Sequence, residues 1–460
     1  MEPRLTDDLK NSIYDGMFAN TFATLTGGVF LTGFALYLGM NEFLIGLVAA
    51  MPFIVTVFQV PGSYLIEKTG KRKQISYWAA ALARAIWIPI LIVTPVPLSR
   101  ASLKLWIILS LLFLSYTFIS ISYVSWLSWM SELVPEGIRG RFFGTRNMLC
   151  GLMGMIAMVV FGKLLDTLNG HAGGGLPLGF GITFVSAVFL GLVSLHFLNR
   201  ISEPQKGGQL GSPLSVGRLI YLPFREPNFR RFLSFTFSWS FSVYFASPFF
   251  TLYFLRDLNF SYGFVAILGM LSAFADMIGM KLWGRISDIV KNKAVISVSS
   301  LVAVFLPLAW VSVRPGSVMI PIILHIVGGG FWAGINLCMN NLLLKISRQE
   351  NRASYISAFN IMGGLGSAGG PILAGFVLKS VGDVDLSLFS WNLLPIQLIF
   401  ITSTFFRLLS FRFFKYVHEP EEVPVGQMIR ILRGVRGLNM ANGFNYLLHP
   451  FVEIRGEKNE

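Results

Sequence analysis

The residue best suited to chemistry in this chain is Asp276, a carboxylate that lies inside a long apolar run. Removal from water favours the protonated form of an unpaired carboxylate, so Asp276 could bind and release a proton. The alternative is a structural pairing with Lys281 or Arg285, which follow toward the nearer end of that run. The sequence therefore predicts either a proton-coupling site or an internal ion pair at this position.

Arg84 is a cation inside another apolar run. Its long side chain can extend toward the end of the run, where Asp15 and Glu132 are the acids expected nearby. We favour an ion pair within one half of the molecule as the role of Arg84. Binding of an anion is the alternative.

A second group of candidates consists of polar and aromatic side chains that recur at helical spacing within apolar runs. One such stripe is formed by His325, Gly329, Trp332, Asn336 and Asn340. Buried amides and imidazoles are costly in hydrocarbon, so these side chains should face a wet cavity. A similar stripe is formed by Thr236, Ser240, Tyr244 and Ser247. Its Ser and Thr residues carry less weight than Tyr244, because their hydroxyls can bond to the backbone of their own helix.

The apolar runs that carry these residues are long enough to cross a membrane. Of the 460 residues 54% are hydrophobic and 13% are charged, whereas a soluble domain usually carries about 25% charged residues. Runs of about 20 apolar residues predict an all-α integral membrane protein with about twelve spans. Numbered 1 to 12, the predicted spans are 18–38, 44–65, 76–95, 103–129, 148–168, 178–198, 232–255, 264–283, 295–313, 318–344, 356–378 and 393–413.

Basic residues are distributed unevenly over the loops between these spans. If the N-terminus is cytoplasmic, six of the 37 Lys and Arg residues fall on the far side, Arg84 lies within a span, and the other thirty are cytoplasmic. We therefore expect both termini inside, with the first span acting as the insertion signal. Anionic lipid accounts for the net charge of +14 without nucleic acid. Cys150 and Cys338 lie in different spans, which argues against a disulfide framework.

Three sequence patterns occur twice in the same order. Residues 63–73 return as 284–293, residues 136–147 return as 349–360, and Glu203-Pro204 returns as Glu419-Pro420. The chain is therefore predicted to contain two copies of one half, at 1–200 and 230–420, joined by a cytoplasmic linker at 201–229. In the tail at 421–460, residues 428–438 have the pattern of an amphipathic helix, which would lie on the cytoplasmic leaflet or pack against the protein's own loops.

Together these features resemble the Major Facilitator Superfamily, in its twelve-helix bacterial form. The loop after span 2 carries the resemblance most specifically, with its acid Glu67 followed by basic residues. It departs from the family pattern at Ser63, where the family usually has Gly, and the second copy has Lys291 where a Gly is expected. The resemblance implies two pseudo-symmetric six-helix bundles and a monomer in the bacterial inner membrane.

The resemblance also implies a gate on the cytoplasmic side. An acid that ends one helix can meet the exposed N–H groups that begin another. Glu67 would face the start of span 11, and Asp288 would face the start of span 5. Alternatively, the basic residues of these loops only hold the topology. The expected gating set is Glu67, Gly70, Arg72, Gly284, Asp288, Arg139 and Arg352.

By the same resemblance the transport site lies in mid-membrane between the halves, lined mainly by spans 1, 4, 7 and 10. The polar and aromatic candidates on those spans then become the expected substrate-binding residues. They are His325, Trp332, Asn336, Asn340, Tyr244, Trp126 and Asn20.

The function expected from these features is secondary active transport of a small solute by alternating access, coupled to protons through Asp276, with efflux as one direction it allows. A flippase-like transporter of amphiphiles and a receptor of transporter shape are the alternatives. The chain has no metal-ligand spacing, nucleotide loop or nucleophile elbow, so we expect no enzyme activity, metal or cofactor. Its partners should be a small, modestly polar or amphipathic substrate, protons and membrane lipids.

Overall fold

The chain folds into helices joined by short loops. The computed structural model describes residues 3–96, 101–168, 178–203, 223–349, 352–381, 386–388 and 391–420. The predicted tail helix at 428–438 and most of the predicted linker lie outside the described residues.

Twelve helical spans occur in the described ranges, in the order predicted, and we label them α1 to α12. Some spans consist of more than one helical segment because the helix is interrupted. Their bounds are α1 (Pro3–Leu25 and Gly28–Tyr37), α2 (Glu42–Ile54, Val55–Phe58 and Gln59–Thr69), α3 (Arg72–Ala85 and Trp87–Val93), α4 (Ala101–Leu133), α5 (Glu136–Leu168), α6 (Leu178–Arg200), α7 (Pro227–Leu252 with a π turn at Tyr253–Asp257), α8 (Tyr262–Val290), α9 (Asn292–Val311), α10 (Met319–Ile346), α11 (Arg352–Val381) and α12 (Pro395–Phe414).

Eleven of the twelve spans are long and apolar enough to cross a membrane, counting only the part of the chain that the structure describes. The remaining span, α7, is also long enough, with 26 residues in its α-helical segment, but it carries seven Ser and Thr residues. Three of these hydroxyls, on Ser234, Thr236 and Ser242, donate to carbonyl oxygens of α7 itself. The chain is a multi-pass membrane protein, as its composition predicts.

The interruptions have local causes. Pro52 lies inside the first segment of α2, where it has no N–H to donate, and a 3₁₀ turn follows at Val55–Phe58. In α1 the break is at Gly28, whose φ of +49° is in the region that favours glycine. These bends change which side chains α1 and α2 present to the interior.

A small hairpin precedes the last span. Its strands, β1 (Leu386–Leu388) and β2 (Trp391–Leu393), pair antiparallel with Ser387 opposite Asn392. Apart from these strands the described part of the chain is helical, so the predicted all-α class is confirmed.

The two six-helix bundles, α1–α6 and α7–α12, share a core on one side only. We call the face where α1 begins and α12 ends the terminal face, and the other the opposite face. One cluster of buried side chains toward the opposite face joins residues of both bundles, including Phe34 and Phe249. Toward the terminal face the buried clusters belong to one bundle each, as those around Trp129 and Phe235 illustrate. The bundles are therefore packed together at the opposite face and separate at the terminal face.

The glutamates of the two repeated Glu-Pro pairs have the same structural role in each bundle. The Glu203 carboxylate, after α6, accepts a hydrogen bond from the backbone N–H of Lys73 at 3.0 Å, in the first turn of α3. After α12, the Glu419 carboxylate accepts one from the N–H of Lys293 at 2.6 Å, in the first turn of α9. Each carboxylate satisfies a donor that the helix start leaves open. Glu419 also accepts from the Lys345 ammonium at 3.1 Å.

Glu419→Gln should lower the free energy of unfolding by about 1–3 kcal/mol, because the fully buried carboxylate would be replaced by a neutral amide, which accepts more weakly from the Lys293 N–H and from Lys345. Thermal unfolding of the purified protein would measure this as a lower melting temperature. Glu203→Gln should have a smaller effect, since Glu203 is less buried. Glu136→Gln, at a side chain that is 91% exposed, is the control, and equal melting of the Glu419 and Glu136 variants would contradict the prediction.

Candidate functional site

A large cavity of about 1510 Å³ lies between the two bundles. Its wall reaches from Phe254, near the opposite face, to Tyr64 and Ser357, near the terminal face. Tyr64 is 64% exposed at that end. The cavity therefore extends to the terminal face, where the two bundles have no common core.

The second bundle supplies the polar wall that the sequence predicts. From α7 the predicted stripe of Thr236, Ser240, Tyr244 and Ser247 lies on the wall, and from α10 so do His325, Trp332, Asn336 and Asn340. Gly329 of the same stripe does not, because it packs against the backbone of Ser272 on α8. Five of the seven predicted substrate contacts thus meet in one place.

The polar atoms on this wall are only partly satisfied by the protein. His325 Nδ1 lies 3.0 Å from the Pro321 carbonyl oxygen, so Nδ1 carries the proton and leaves Nε2 as an acceptor. Asn340 donates to the Asn336 carbonyl oxygen at 2.9 Å. The Asn336 side chain itself has no hydrogen-bond partner among the residues that the structure describes. This amide is available to a solute or to cavity water.

The two candidates in the first bundle lie elsewhere. Asn20 Nδ2 donates to the Cys150 carbonyl oxygen at 2.8 Å, which joins α1 to α5. Trp126 lies beneath the Arg146 guanidinium, with the carbon of that group 4.2 Å from the ring centroid. Neither residue is among those that line the cavity. Both are occupied by packing within their own bundle.

The first bundle contributes α2 to the cavity wall instead. Phe53, Thr56, Gln59 and Ser63 line it, together with Tyr123 of α4. Thr56, Gln59 and Ser63 recur at spacings of three and four, which is the spacing of the polar stripe on α10. The same search for polar residues at helical spacing could therefore have identified α2 as part of the wall. The resemblance directed attention to spans 1 and 4, and this part of the wall was missed.

Asp276 lies on α8, half-buried, outside the residues that line the cavity. It makes no ion pair or hydrogen bond with the described residues, so the alternative pairing with Lys281 or Arg285 is absent. Its carboxylate is unpaired within the described part of the chain.

Arg84 belongs to a buried relay inside the first bundle. Its Nη2 donates to Ser194 Oγ at 2.9 Å, and that hydroxyl donates to Asp15 Oδ1 at 2.6 Å. Glu132, the other acid considered, pairs with Arg72 instead. Arg84 is therefore linked to Asp15 through a hydroxyl, which agrees with a role within one bundle.

The expected gate at the terminal face is not closed in this structure. Asp288 is exposed and has no partner in the described ranges. Arg139 turns back to the Ser131 carbonyl oxygen, at 2.8 Å, within its own bundle. Glu67 is in the last turn of α2, but its side chain lies outside the described part. Arg352 begins α11 and is exposed.

The remaining gating candidates have local roles. Gly70 ends α2 in the left-handed conformation, with φ of 66°. Arg72 begins α3 and forms the ion pair with Glu132. Gly284 faces Leu337, so a Cβ at that glycine would lie 3.6 Å from the leucine side chain. None of these contacts crosses between the bundles.

The opposite face is where carboxylates do join the two bundles. Asp166, at the end of α5, accepts hydrogen bonds from the backbone N–H groups of Tyr262 and Gly263 at the start of α8, both at 2.7 Å. Glu42, which begins α2, accepts from Arg256 Nη1 at 2.7 Å. The acid-to-helix-start contact expected at one face thus occurs at the other.

Close backbone and ring contacts accompany these polar ones. A Cβ at Gly375 of α11 would lie 2.6 Å from the Glu42 carbonyl oxygen, so this position has no room for a side chain. Deeper in the molecule the rings of Phe53 and Tyr244 meet edge to face, with centroids 4.6 Å apart. These residues separate the cavity from the opposite face.

Asp257 ends the π turn beyond the apolar part of α7, beside Arg256. Burial raises the pKa of Asp257 above the ordinary value of an aspartate, and the adjacent Arg256 offsets only part of this rise. Arg256 therefore forms ion pairs with both Asp257 and Glu42.

The geometry is that of a transporter, and comparison with known proteins gives its family. The model of the Major Facilitator Superfamily matches residues 16–371. The chain belongs to this family of membrane transporters and is not an enzyme. A comparison with curated proteins finds none that match.

Solved transporter structures share the fold at low sequence identity. A mutant of the nucleoside transporter NupG aligns with a TM-score of 0.68 at 14% identity, over 90% of this chain and 100% of that one. A bacterial homologue of the human lysosomal transporter Spinster, inward-facing and unoccupied, aligns with a TM-score of 0.67 at 14% identity, over 90% and 97%. The D-xylose-proton symporter aligns with a TM-score of 0.63 at 14% identity, over 89% and 98%. At this identity the likeness concerns the fold.

Asp166→Ala should open the opposite face, because the N–H groups that start α8 lose a capping carboxylate at a cost of about 0.5–2 kcal/mol. The reporter is a cysteine at Ser247, on the cavity wall, in a background with Cys150 and Cys338 replaced by Ala. A membrane-impermeant maleimide added at the opposite face should label it about 2- to 30-fold faster.

Arg314→Gln is the control for this experiment, since Arg314 is an exposed residue at the same face. Its labelling rate should equal that of the unmodified background. If Asp166→Ala labels at the control rate, the contact between α5 and α8 does not hold this face closed.

Proposed function

We propose that the protein is a secondary transporter that moves a small solute by alternating access. The observation that supports it best is the cavity between the bundles, which reaches the terminal face and is separated from the opposite face by contacts between the bundles. Transport requires a second state in which these contacts break and the terminal face closes. Asp288 and Glu67 would then meet the starts of α5 and α11.

The terminal face is assigned to the cytoplasm in this proposal. Its support is the count of basic residues, most of which fall in the loops and termini on that side. A bacterial inner membrane with both termini inside fits this assignment. The described conformation is then the inward-facing one.

The substrate is expected to bind against α7 and α10. Asn336 is the sharpest candidate, because its amide is on the cavity wall and the described residues leave it without a partner. His325 Nε2 offers an acceptor from the same helix, and Tyr244 offers a hydroxyl from α7.

A counterflow screen in proteoliposomes, run with and without a proton gradient, tests the proposal as a whole. Accumulation of any compound would exclude a receptor that does not transport. Dependence of the steady-state level on the gradient would distinguish coupled transport from facilitated diffusion. Counterflow only of lipid-like compounds would favour the flippase alternative.

Asn336→Leu should weaken binding of a transported compound by about 1–3 kcal/mol, because a polar group of the substrate loses its partner. Asn341→Leu is the matched control, since Asn341 is exposed on the same helix and does not line the cavity. Binding to the purified variants measures both. A loss at position 341 with none at 336 would contradict the assignment of the wall.

Asp276 is proposed as the proton-coupling site, supported by its unpaired carboxylate on α8. Asp276→Asn should abolish accumulation driven by the proton gradient and leave exchange largely intact, because exchange needs no net movement of protons. Asp7→Asn, at a side chain that is 73% exposed, is the control. Equal loss of both activities with poor expression would mark Asp276 as a structural charge.

A further inference from the structure

Arg407 is a buried cation on the cavity wall, although the distribution of basic residues predicts it on the cytoplasmic side. It lies within α12 and is 3% exposed. It is the only Lys, Arg, Asp or Glu among the described residues that line the cavity. The cavity wall described in the structure therefore carries a positive charge and no negative one.

The protein satisfies this guanidinium only in part. Arg407 Nη1 donates to the Ala303 carbonyl oxygen on α9 at 2.6 Å, and Nε is buried without a partner. No carboxylate of the described chain lies within ion-pair distance of it. Arg84 offers a contrast, because its charge is connected through Ser194 to Asp15. A guanidinium stays protonated, so leaving it unpaired in a membrane interior is costly unless a ligand pairs with it.

A second unsatisfied donor lies on the same wall. Trp239 is 4% exposed, lines the cavity, and has a buried indole N–H without a partner. Its ring centroid lies 6.2 Å from that of Phe411, one helical turn beyond Arg407 on α12, and 6.0 Å from that of Trp332. Trp239 therefore contacts the turn of α12 that follows Arg407, and Trp239 and Trp332 form an aromatic part of the wall.

The chemistry of the two groups restricts what could satisfy them. Guanidinium and indole N–H groups donate hydrogen bonds and accept none, so the complementary ligand must supply acceptor atoms. A carboxylate or a phosphate supplies such atoms together with a negative charge that would pair with Arg407. A guanidinium binds both groups in a forked, two-point geometry. The aromatic rings beside them suit an apolar or aromatic ligand body.

We propose that Arg407 and Trp239 bind the anionic group of the transported solute, a carboxylate or a phosphate monoester attached to an apolar or aromatic body that packs on Trp332. This inference rests on the proposed transport function and adds the substrate class to it. The amphipathic character expected from the sequence is retained, with a negative charge added.

The test measures the electrostatic potential inside the cavity near Arg407. A reporter cysteine replaces Val243, which lines the cavity one helical turn from Trp239, in the background without Cys150 and Cys338. The purified full-length protein in detergent is treated with anionic methanethiosulfonate ethylsulfonate or with its cationic trimethylammonium counterpart. The ratio of the two reaction rates reports the local potential.

Arg407→Gln should lower the ratio of anionic to cationic rate by about tenfold, as expected for removal of one nearby charge. Arg407→Lys should preserve most of the ratio. Arg412→Gln, an exposed arginine of the same helix, is the matched control and should leave the ratio unchanged. An unchanged ratio in Arg407→Gln, or an equal fall in Arg412→Gln, would overturn the proposal.

The ligand class is tested with three probes that compete with modification of the reporter. Benzoate and phenyl phosphate represent the two anions, and benzamide is the uncharged comparison. In protein with Arg407, at least one of the two anions should slow modification of the reporter about fivefold or more. The same anion should give no protection in Arg407→Gln. Whichever anion protects identifies the anionic group as a carboxylate or a phosphate. Equal protection by benzamide, or protection by none of the three, would overturn the proposal.

These measurements are made on solubilised protein and need no transport. A protein that shows no counterflow would refute the proposed function, while the charge ratio and the protection would still be measurable. Normal counterflow of uncharged compounds alone, with no effect of Arg407→Gln on the ratio, would refute only the anionic substrate class.

Discussion

Hydrocarbon supplies no hydrogen bonds, and this constraint governs which partners the polar groups of the spans take. Within the first bundle it produces the relay from Arg84 through Ser194 to Asp15 and the bond from Asn20 to the Cys150 carbonyl. Of the groups that the described protein leaves unsatisfied, the Asn336 amide lies on the cavity wall, whereas Trp126 Nε1 and Ser299 Oγ lie buried elsewhere. An unsatisfied polar atom is therefore a candidate for solute binding only where its residue also lines the cavity.

The same interaction, a carboxylate that accepts from the N–H groups of a helix start, serves two purposes in this fold. Glu203 and Glu419 use it within a bundle, where it fixes the start of the third helix of each half. Asp166 uses it between bundles, where the start of α8 belongs to the other half. A contact within a bundle can persist through rigid-body motion of the halves, whereas a contact between bundles must break for the opposite face to open. Position decides whether this interaction is permanent or part of a gate.

Much of the fold could be predicted because span length and polar spacing are local properties of the sequence. The twelve spans and the polar stripes of α7 and α10 follow from them, and the structure brings both stripes to one cavity. Asn20 and Trp126 show the limit, since only the packing of neighbouring helices decides whether a polar group meets a carbonyl or a cavity. Arg407 was missed because an arginine two turns from a helix end can extend to water, and only its bond to the Ala303 carbonyl shows that it does not.

The buried cluster that joins the bundles at the opposite face is mostly apolar and aromatic, with Phe34 and Phe249 among its members. Separation of the bundles would expose part of this surface to water, and hydration of apolar surface raises the heat capacity. The balance between the two conformations would then be a curved function of temperature. Adhesion of the opposite face would weaken on cooling, because the hydrophobic driving force is largely entropic near room temperature. Membrane temperature could thus shift this protein between its conformations without any change in ligand or voltage.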